Sequence, residues 1–245
     1  MYPKVICHIM ASVDGRLLTD HWTLPFNGKP KNELLGIYAV IGHQLGTDAW
    51  MFGKNTLTEG FFPKKFHPAI LTPSPHPTTY VAHRSSGRLF ITADPEADIL
   101  YESSTVQGDN IAVILPETAP AAYLEQLRQQ DISYLFAGQD GNDLRQAMQT
   151  LAEAFGVKCL SLQGGGILDG AFLQAGLIND LSLVVYPGID GAASSPSIFE
   201  YIGKEPSPAR RQSLELLSAE TMQEGVVWLR YKFHKEDSRN RIEKQ

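Results

Sequence analysis

The chain has 245 residues, 43% of them hydrophobic and 20% charged, with a formal net charge of −6. That composition is that of a globular protein with a sizeable core, and the acidic balance excludes a whole-surface affinity for nucleic-acid phosphates. No apolar run approaches the roughly 18 to 20 residues of a membrane span, and no charged leader with an apolar stretch opens the chain, so the expected compartment is the cytoplasm and no membrane partner is expected.

In chain order, KVICHIMAS (Lys4 to Ser12) is a short β-branched apolar run and predicts a buried strand, ending at the Asp14-Gly15 turn signal. KPKNELLGIYAVIGHQLG has helical spacing through Leu34, Leu35, Tyr38, Ile41 and Leu45, with Gly46 as its stop. DAWMFG predicts the next strand and KNTLTE a short helix behind it. Residues 61–77 carry five prolines, too many for a helix or a central strand, and predict a surface excursion. TTYVAH, RLFIT and NIAVIL follow as expected strands, PAAYLEQLRQQ as a helix and ISYLFA as a strand. NDLRQAMQTLAEAFG is an amphipathic helix that Asn142 or Asp143 caps and Gly156 closes. VKCLSLQ and DLSLVVYP predict strands on either side of the helix GILDGAFLQAG. The last third changes character: RRQSLELLSAETM and GVVWLRYKFH form an antiparallel hairpin through Glu224-Gly225. The expected architecture is α/β, a mixed, mostly parallel sheet flanked by helices, in a single domain over residues 1–234 with a charged tail at 235–245. Cys7 and Cys159, both in strand-like segments, are expected to be reduced.

Three glycines in a row, Gly164, Gly165 and Gly166, stand between a predicted strand and a predicted helix. Backbone N–H groups at a helix start suit a phosphate or pyrophosphate. The spacing matches neither G-x-G-x-x-G, because Asp169 stands where the last glycine belongs, nor a P-loop. A tight turn without a ligand remains the alternative on this segment alone. The theme recurs at MFGKNTLTE, where Gly53, Lys54 and Thr56 follow a strand, and at VAHRSSGR, where Arg84 and Ser85 offer a guanidinium and a hydroxyl. Ligands of open α/β sheets collect at the carboxyl ends of strands, so one elongated, phosphorylated ligand accounts for all three.

The order ASVDGRLL, DAWMFGKNT, YVAHRSS, LQGGGILDGAFLQAGLINDLSLVVYPGIDG resembles the C-terminal reductase domain of the riboflavin-biosynthesis protein RibD, a branch of the dihydrofolate-reductase-like three-layer fold, over nearly the whole chain. The resemblance implies an NADPH-dependent reductase of a small heterocyclic substrate, pyrimidine- or pteridine-like, acting as a homodimer. It places Gly53, Lys54 and Thr56 along the pyrophosphate and the adenosine 2′-phosphate, with Arg84 and Ser85 near the adenosine. Gly164, Gly165, Gly166, Ile167 and Leu168 would wrap the pyrophosphate and nicotinamide ribose, and Met10, Ala11 and Ser12 would border the nicotinamide.

Three positions depart from the family pattern together. His8 stands in the first strand in place of a lysine, TEGFFP in place of Asp-Asp-Pro, and Gln163 in place of a glutamate before the glycines. In WTLPFNGKP, Asn27 occupies the place where dihydrofolate reductases hold the carboxylate that grips the pterin, leaving Glu33 as the nearest acid. Candidate substrate contacts are therefore Asn27, Glu33 and Gln163. His8 is a candidate proton donor, with a hydrogen-bonded core histidine as the alternative, and Asp14 a candidate catalytic or substrate-binding group, with a turn-forming aspartate as the alternative. Trp22, Phe26, Phe61 and Phe62 are stacking or packing residues. His67, His76 and His83 have no metal-ligand spacing, and no metal is expected. Two further functions stay open: a dimeric nucleotide-binding module whose catalytic side has decayed, and an NADPH reductase of an unrelated carbonyl compound.

Overall fold

The computed structural model describes residues 1–67, 72–74, 76–84 and 87–236. Its elements in chain order are β1 (Lys4–Ser12), α1 (Lys31–Gln44), β2 (Ala49–Phe52), α2 (Lys54–Gly60), β3 (Leu89–Ala93), β4 (Thr105–Val106), β5 (Asp109–Leu115) and α3 (Ala121–Gln129). They continue as β6 (Ser133–Phe136), α4 (Leu144–Glu153), β7 (Cys159–Leu162), α5 (Gly166–Gln174), β8 (Asp180–Tyr186), β9 (Gln212–Thr221) and β10 (Val227–Lys235). The predicted α/β alternation and the closing hairpin are both present. The chain divides into two compact units, the first Met1–Lys4 with Gly46–Gly165, the second Val5–Leu45 with Gly166–Gln245.

In the first unit the strands lie in the order β4-β5-β3-β2-β7, with β6 also on β5. All pairs are parallel except β4 with β5. Parallel strands buried on both faces need near-continuous apolar sequence; AVIL of β5 and SYLF of β6 supply it and are buried throughout. Asp143 caps α4, its Oδ1 accepting from the Gln146 amide at 3.0 Å, and Ala147, Met148 and Leu151 form the buried stripe.

Two expectations change here, and one strand is additional. TTYVAH is not a strand: Tyr80 makes only an isolated bridge to Tyr134. The 61–77 excursion is not wholly a surface feature, because Phe61, Phe62 and Phe66 pack on the core of Phe52, Phe90, Tyr101 and Tyr123. The two-residue β4 has too little sequence to show a period.

The second unit orders its strands β1-β8-β10-β9, β1 parallel to β8 and the rest antiparallel. Leu34 and Ile41 of α1 are fully buried against Met10, Trp22, Val184, Tyr186 and Trp228, so Trp22 is a packing residue. Phe26, 93% exposed, packs on nothing comparable. Among the described residues Cys7 and Cys159 form no disulfide. Among the described residues no helix is long and apolar enough to cross a membrane.

Candidate active site

In the first unit β3, β2 and β7 are parallel neighbours, so their carboxyl ends share one edge, where ligands of such sheets bind. Gly53 follows β2 and Gly164 follows β7, and the Gly53 amide donates to the Gly164 carbonyl at 2.7 Å. Gly164 takes φ +65°, a conformation that glycine adopts without penalty. Its peptide bond to Gly165 is cis. The Gly165 amide donates to Thr56 Oγ1 at 3.3 Å. A Cβ on Gly165 would meet Thr56 Oγ1 at 3.5 Å, an ordinary contact, so crowding does not explain this glycine. Gln163 is buried, its amide donating to the Met51 carbonyl at 2.8 Å and its Nε2 to Ser161 Oγ at 3.2 Å.

Lys54 does not stand ready for an anion. Its ammonium donates to Asp94 Oδ1 at 3.1 Å and to Glu96 Oε2 and Asp98 Oδ1 at closer range. Partial burial opposes the charged form, but hydrogen bonds to Asp98 and Glu96 and the charge of Asp94 outweigh it and hold the ammonium above its ordinary pKa. Asp94 is itself buried, its Oδ2 accepting from the Asp98 and Ile99 amides and from Tyr123 Oη at 2.9 Å. Lys65 adds a bond to Asp98 Oδ2 at 2.8 Å. These carboxylates were not among the sequence candidates, although ADPEAD, three acids in five residues directly behind β3, was a readable signal.

Arg84 leads into β3 rather than closing a strand, and its guanidinium lies 5.8 Å from the Phe155 ring. Phe155 in turn precedes β7. Both residues therefore stand toward the amino ends of parallel strands, away from the glycines. Ser85 lies outside the described residues.

In the second unit α5 starts at Gly166, and the first amides of a helix have no intrahelical acceptor. Ile167 is half-exposed there, with Leu168 beside it. Gly166 has a packing reason of its own: a Cβ would stand 2.3 Å from the Ser197 carbonyl oxygen, and the Glu200 amide donates to the Gly166 carbonyl at 2.8 Å. One turn on, a Cβ on Gly170 would meet the Glu200 carbonyl oxygen at 2.3 Å. The two glycines let the 197–201 segment lie directly on α5. Asp169 between them is fully buried, and the Cys7 thiol is the hydrogen-bonding neighbour of its carboxyl. Burial pushes its pKa well above the usual carboxylate range; the Cys7 thiol beside it is likewise raised by burial and by the neighbouring Asp169.

At the carboxyl end of β1, Met10, Ala11 and Ser12 are buried. Asp14 follows as an anchor. Its Oδ1 accepts from Ser12 Oγ at 2.7 Å and the Asp190 amide at 3.1 Å, its Oδ2 from the Gly191 amide at 2.8 Å. The Ser12 hydroxyl and these two amides draw its pKa down to about 2. The group is an ionised tether between the loops after β1 and β8, and the sequence reading of it as a turn aspartate captured only the local half.

His8 is fully buried and stacked on the Tyr38 ring at 4.2 Å. Its Nε2 lies 3.0 Å from the Tyr38 carbonyl, which only accepts, so Nε2 carries the proton. Nδ1 then accepts from Ser182 Oγ at 3.0 Å, and Ser182 accepts from Trp228 Nε1 at 2.8 Å. Burial, against the hydrogen bonds to Tyr38 and Ser182, lowers the pKa to about 4. The geometry is that of the core histidine, neutral at physiological pH.

Asn27 is exposed and donates to Glu224, while accepting from the Lys29 amide at 3.1 Å. Glu33 is exposed in the first turn of α1. Among the described residues no group of three metal-ligating side chains occurs.

A search of curated protein sequences finds no significant match. Among solved structures the chain is similar to Acinetobacter baumannii RibD (TM-score 0.61, 17% identity, 95% of this chain and 58% of that one). It is also similar to a pyrimidine reductase-like protein from Corynebacterium diphtheriae (TM-score 0.63, 18% identity, 96% and 93%). A third is the riboflavin biosynthesis reductase Rib7 of Saccharomyces cerevisiae (TM-score 0.61, 15% identity, 95% and 90%). The chain thus spans little more than half the length of the bacterial RibD. At these identities the structures show a shared fold, the mixed α/β architecture of the dihydrofolate-reductase-like reductases. The sequence profile described as the RibD C-terminal domain matches residues 3–228, and by that match the chain belongs to the RibD C-terminal domain family.

Proposed function

We propose that the chain is a pyridine-nucleotide-dependent oxidoreductase that delivers hydride to a C=N or C=O carbon of a small pyrimidine- or pteridine-like heterocycle. 5-Amino-6-(5-phosphoribosylamino)uracil is the substrate the resemblance suggests. The homodimeric state and the cytoplasmic location belong to the same proposal.

The observation that supports it most is Gly165. Its neighbours have structural reasons to be glycine, a left-handed torsion at Gly164 and backbone collisions at Gly166, whereas neither torsion nor crowding demands glycine at 165. A backbone left bare without a structural need, at a strand's carboxyl end beside Thr56, suits the close approach of a pyrophosphate. In the first unit Gly53, Thr56, Gly164 and Gly165 would hold that pyrophosphate. In the second unit, taken by itself, the first-turn amides of α5 at Ile167 and Leu168 suit an anion, and Met10, Ala11 and Ser12 are the residues that the resemblance assigns to the reacting ring. The 2′-phosphate of NADPH, by contrast, finds its expected anchors Lys54 and Arg84 engaged elsewhere.

When bound, the dihydronicotinamide supplies the hydride, and the protein supplies orientation and exclusion of water. Neither acid–base candidate has a proton to give at neutral pH: His8 donates its single N–H to the Tyr38 carbonyl, and Asp14 is ionised with both oxygens occupied. The proton that completes reduction therefore comes from solvent. Gln163 presents a neutral amide where a carboxylate would accept from an amine, so the substrate edge it meets needs an acceptor as well as a donor.

Titration of the intact chain with reduced nicotinamide coenzymes, followed by coenzyme oxidation with pyrimidine and pteridine substrates, tests this reading. Gly165→Ala is expected to weaken coenzyme binding at least tenfold while leaving the melting temperature nearly unchanged. Failure of both reduced coenzymes to bind the unaltered chain overturns the proposal.

A further inference from the structure

Every cation between Gly53 and Arg88 that the structure describes is already engaged. Lys54 is held by Asp94, Glu96 and Asp98. Lys65 is paired with Asp98 at 2.8 Å and Lys64 with Glu102 at 2.8 Å. Arg88 lies 3.6 Å from Asp109 and over the Trp50 ring, and Arg84 rests near Phe155 at the amino edge of the strands. The group that gathers behind β3, next to the start of α2, comprises three carboxylates and two ammonium ions and carries a net charge of −1 before any ligand arrives.

Neighbouring strands are about 4.8 Å apart, so a dinucleotide whose pyrophosphate lies at the β7 and β2 ends, and whose adenosine half extends along the same edge to β3, would bring its ribose there within about one to two strand spacings. A 2′-phosphate there brings about −1.5 to −2 charges into an already anionic corner. Of the two ammonium groups there, Lys54 would first have to leave three carboxylates, one of them buried and fixed by two backbone amides, and Lys65 would have to leave Asp98. An unphosphorylated ribose meets no such opposition.

From this geometry we propose that the coenzyme is NADH rather than NADPH, with the carboxylates that enclose Lys54 excluding the 2′-phosphate. The inference rests on the reductase reading above and concerns this chain's residues rather than the family's usual coenzyme.

Equilibrium titration of the intact chain with NADH and with NADPH, at low and at high ionic strength, tests it. NADH is expected to bind at least tenfold tighter at low salt, with the gap narrowing as salt screens the repulsion. Glu96 is the most exposed of the three acids, and Glu96→Arg is expected to raise NADPH affinity at least fivefold and to change NADH affinity by less than twofold. Tighter binding of NADPH by the unaltered chain overturns the inference and leaves the reductase reading standing. Equal affinities at low salt overturn it in the same way. Binding of neither coenzyme overturns both.

Discussion

Asp169 offers the sharpest stability prediction, because its cost depends on pH and its isostere does not. The carboxyl is fully buried with the Cys7 thiol as its hydrogen-bonding neighbour, and burial outweighs that bond and pushes its pKa well above the usual carboxylate range. In the folded chain it keeps its proton; in the unfolded chain it loses the proton above about pH 3.9. Above that pH the unfolded chain therefore binds fewer protons than the folded one, and stability falls as pH rises, at about 1.4 kcal/mol per pH unit for as long as the folded acid stays protonated. Asp169→Asn keeps the shape and removes the titration. Near pH 4 the two proteins should melt together, since acid and amide are both neutral there. As pH rises toward 7 the asparagine variant should pull ahead by about 3–6 °C per pH unit, taking about 2–4 °C per kcal/mol for a chain of this length. Thermal unfolding followed by circular dichroism at half-unit pH steps reads this directly, and the difference between the proteins cancels every other group that titrates alike in both. A difference in melting temperature that stays constant between pH 4 and pH 7 would refute the claim that this acid is buried with its proton.

His8 predicts the opposite slope. Its pKa of about 4 when folded lies below the unfolded value of about 6.5, so stability is lost as pH falls through that window, by about 3 kcal/mol in all, and His8→Gln should flatten that limb of the curve. Gly170→Ala places a methyl 2.3 Å from the Glu200 carbonyl oxygen and 2.8 Å from the Tyr201 amide, backbone atoms that cannot swing aside. Overpacking costs about 1–3 kcal/mol, against about 1 kcal/mol gained from helix propensity, so denaturant unfolding should show a net loss of up to about 2 kcal/mol. A stabilising Gly170→Ala would mean that the 197–201 segment does not lie on α5.

Most of the fold was legible because its signals are local. β1 spans Lys4–Ser12 as its apolar run predicts, Asp143 caps α4, and the hairpin turns where Glu224-Gly225 stands. What misled was local sequence whose partners are distant. TTYVAH has a strand's composition but only the Tyr134 bridge to pair with, and the prolines of 61–77 conceal three phenylalanines that find a core. The site suffered more. Lys54 beside a helix start reads as an anion holder until the acids 40 to 44 residues further on are seen around it. His8 reads as a pocket residue until Tyr38, 30 residues away, and Ser182, 174 residues away, take its two ring nitrogens.

The glycine run shows why a motif of identical residues needs separate explanations. A torsion requires Gly164; collisions with a segment some thirty residues downstream require Gly166 and Gly170; only Gly165 is left without a demand from the fold. From sequence all of these looked like one feature with one ligand behind it. Had the run existed solely for a coenzyme, each position would be bare and open, and α5 could not be pressed by the 197–201 segment. Had it existed solely for packing, Gly165 would have no reason to lack a side chain. The structure has both arrangements within seven residues, so the inference to a dinucleotide rests on a narrower base than the sequence offered: in the first unit, one glycine and one threonine hydroxyl.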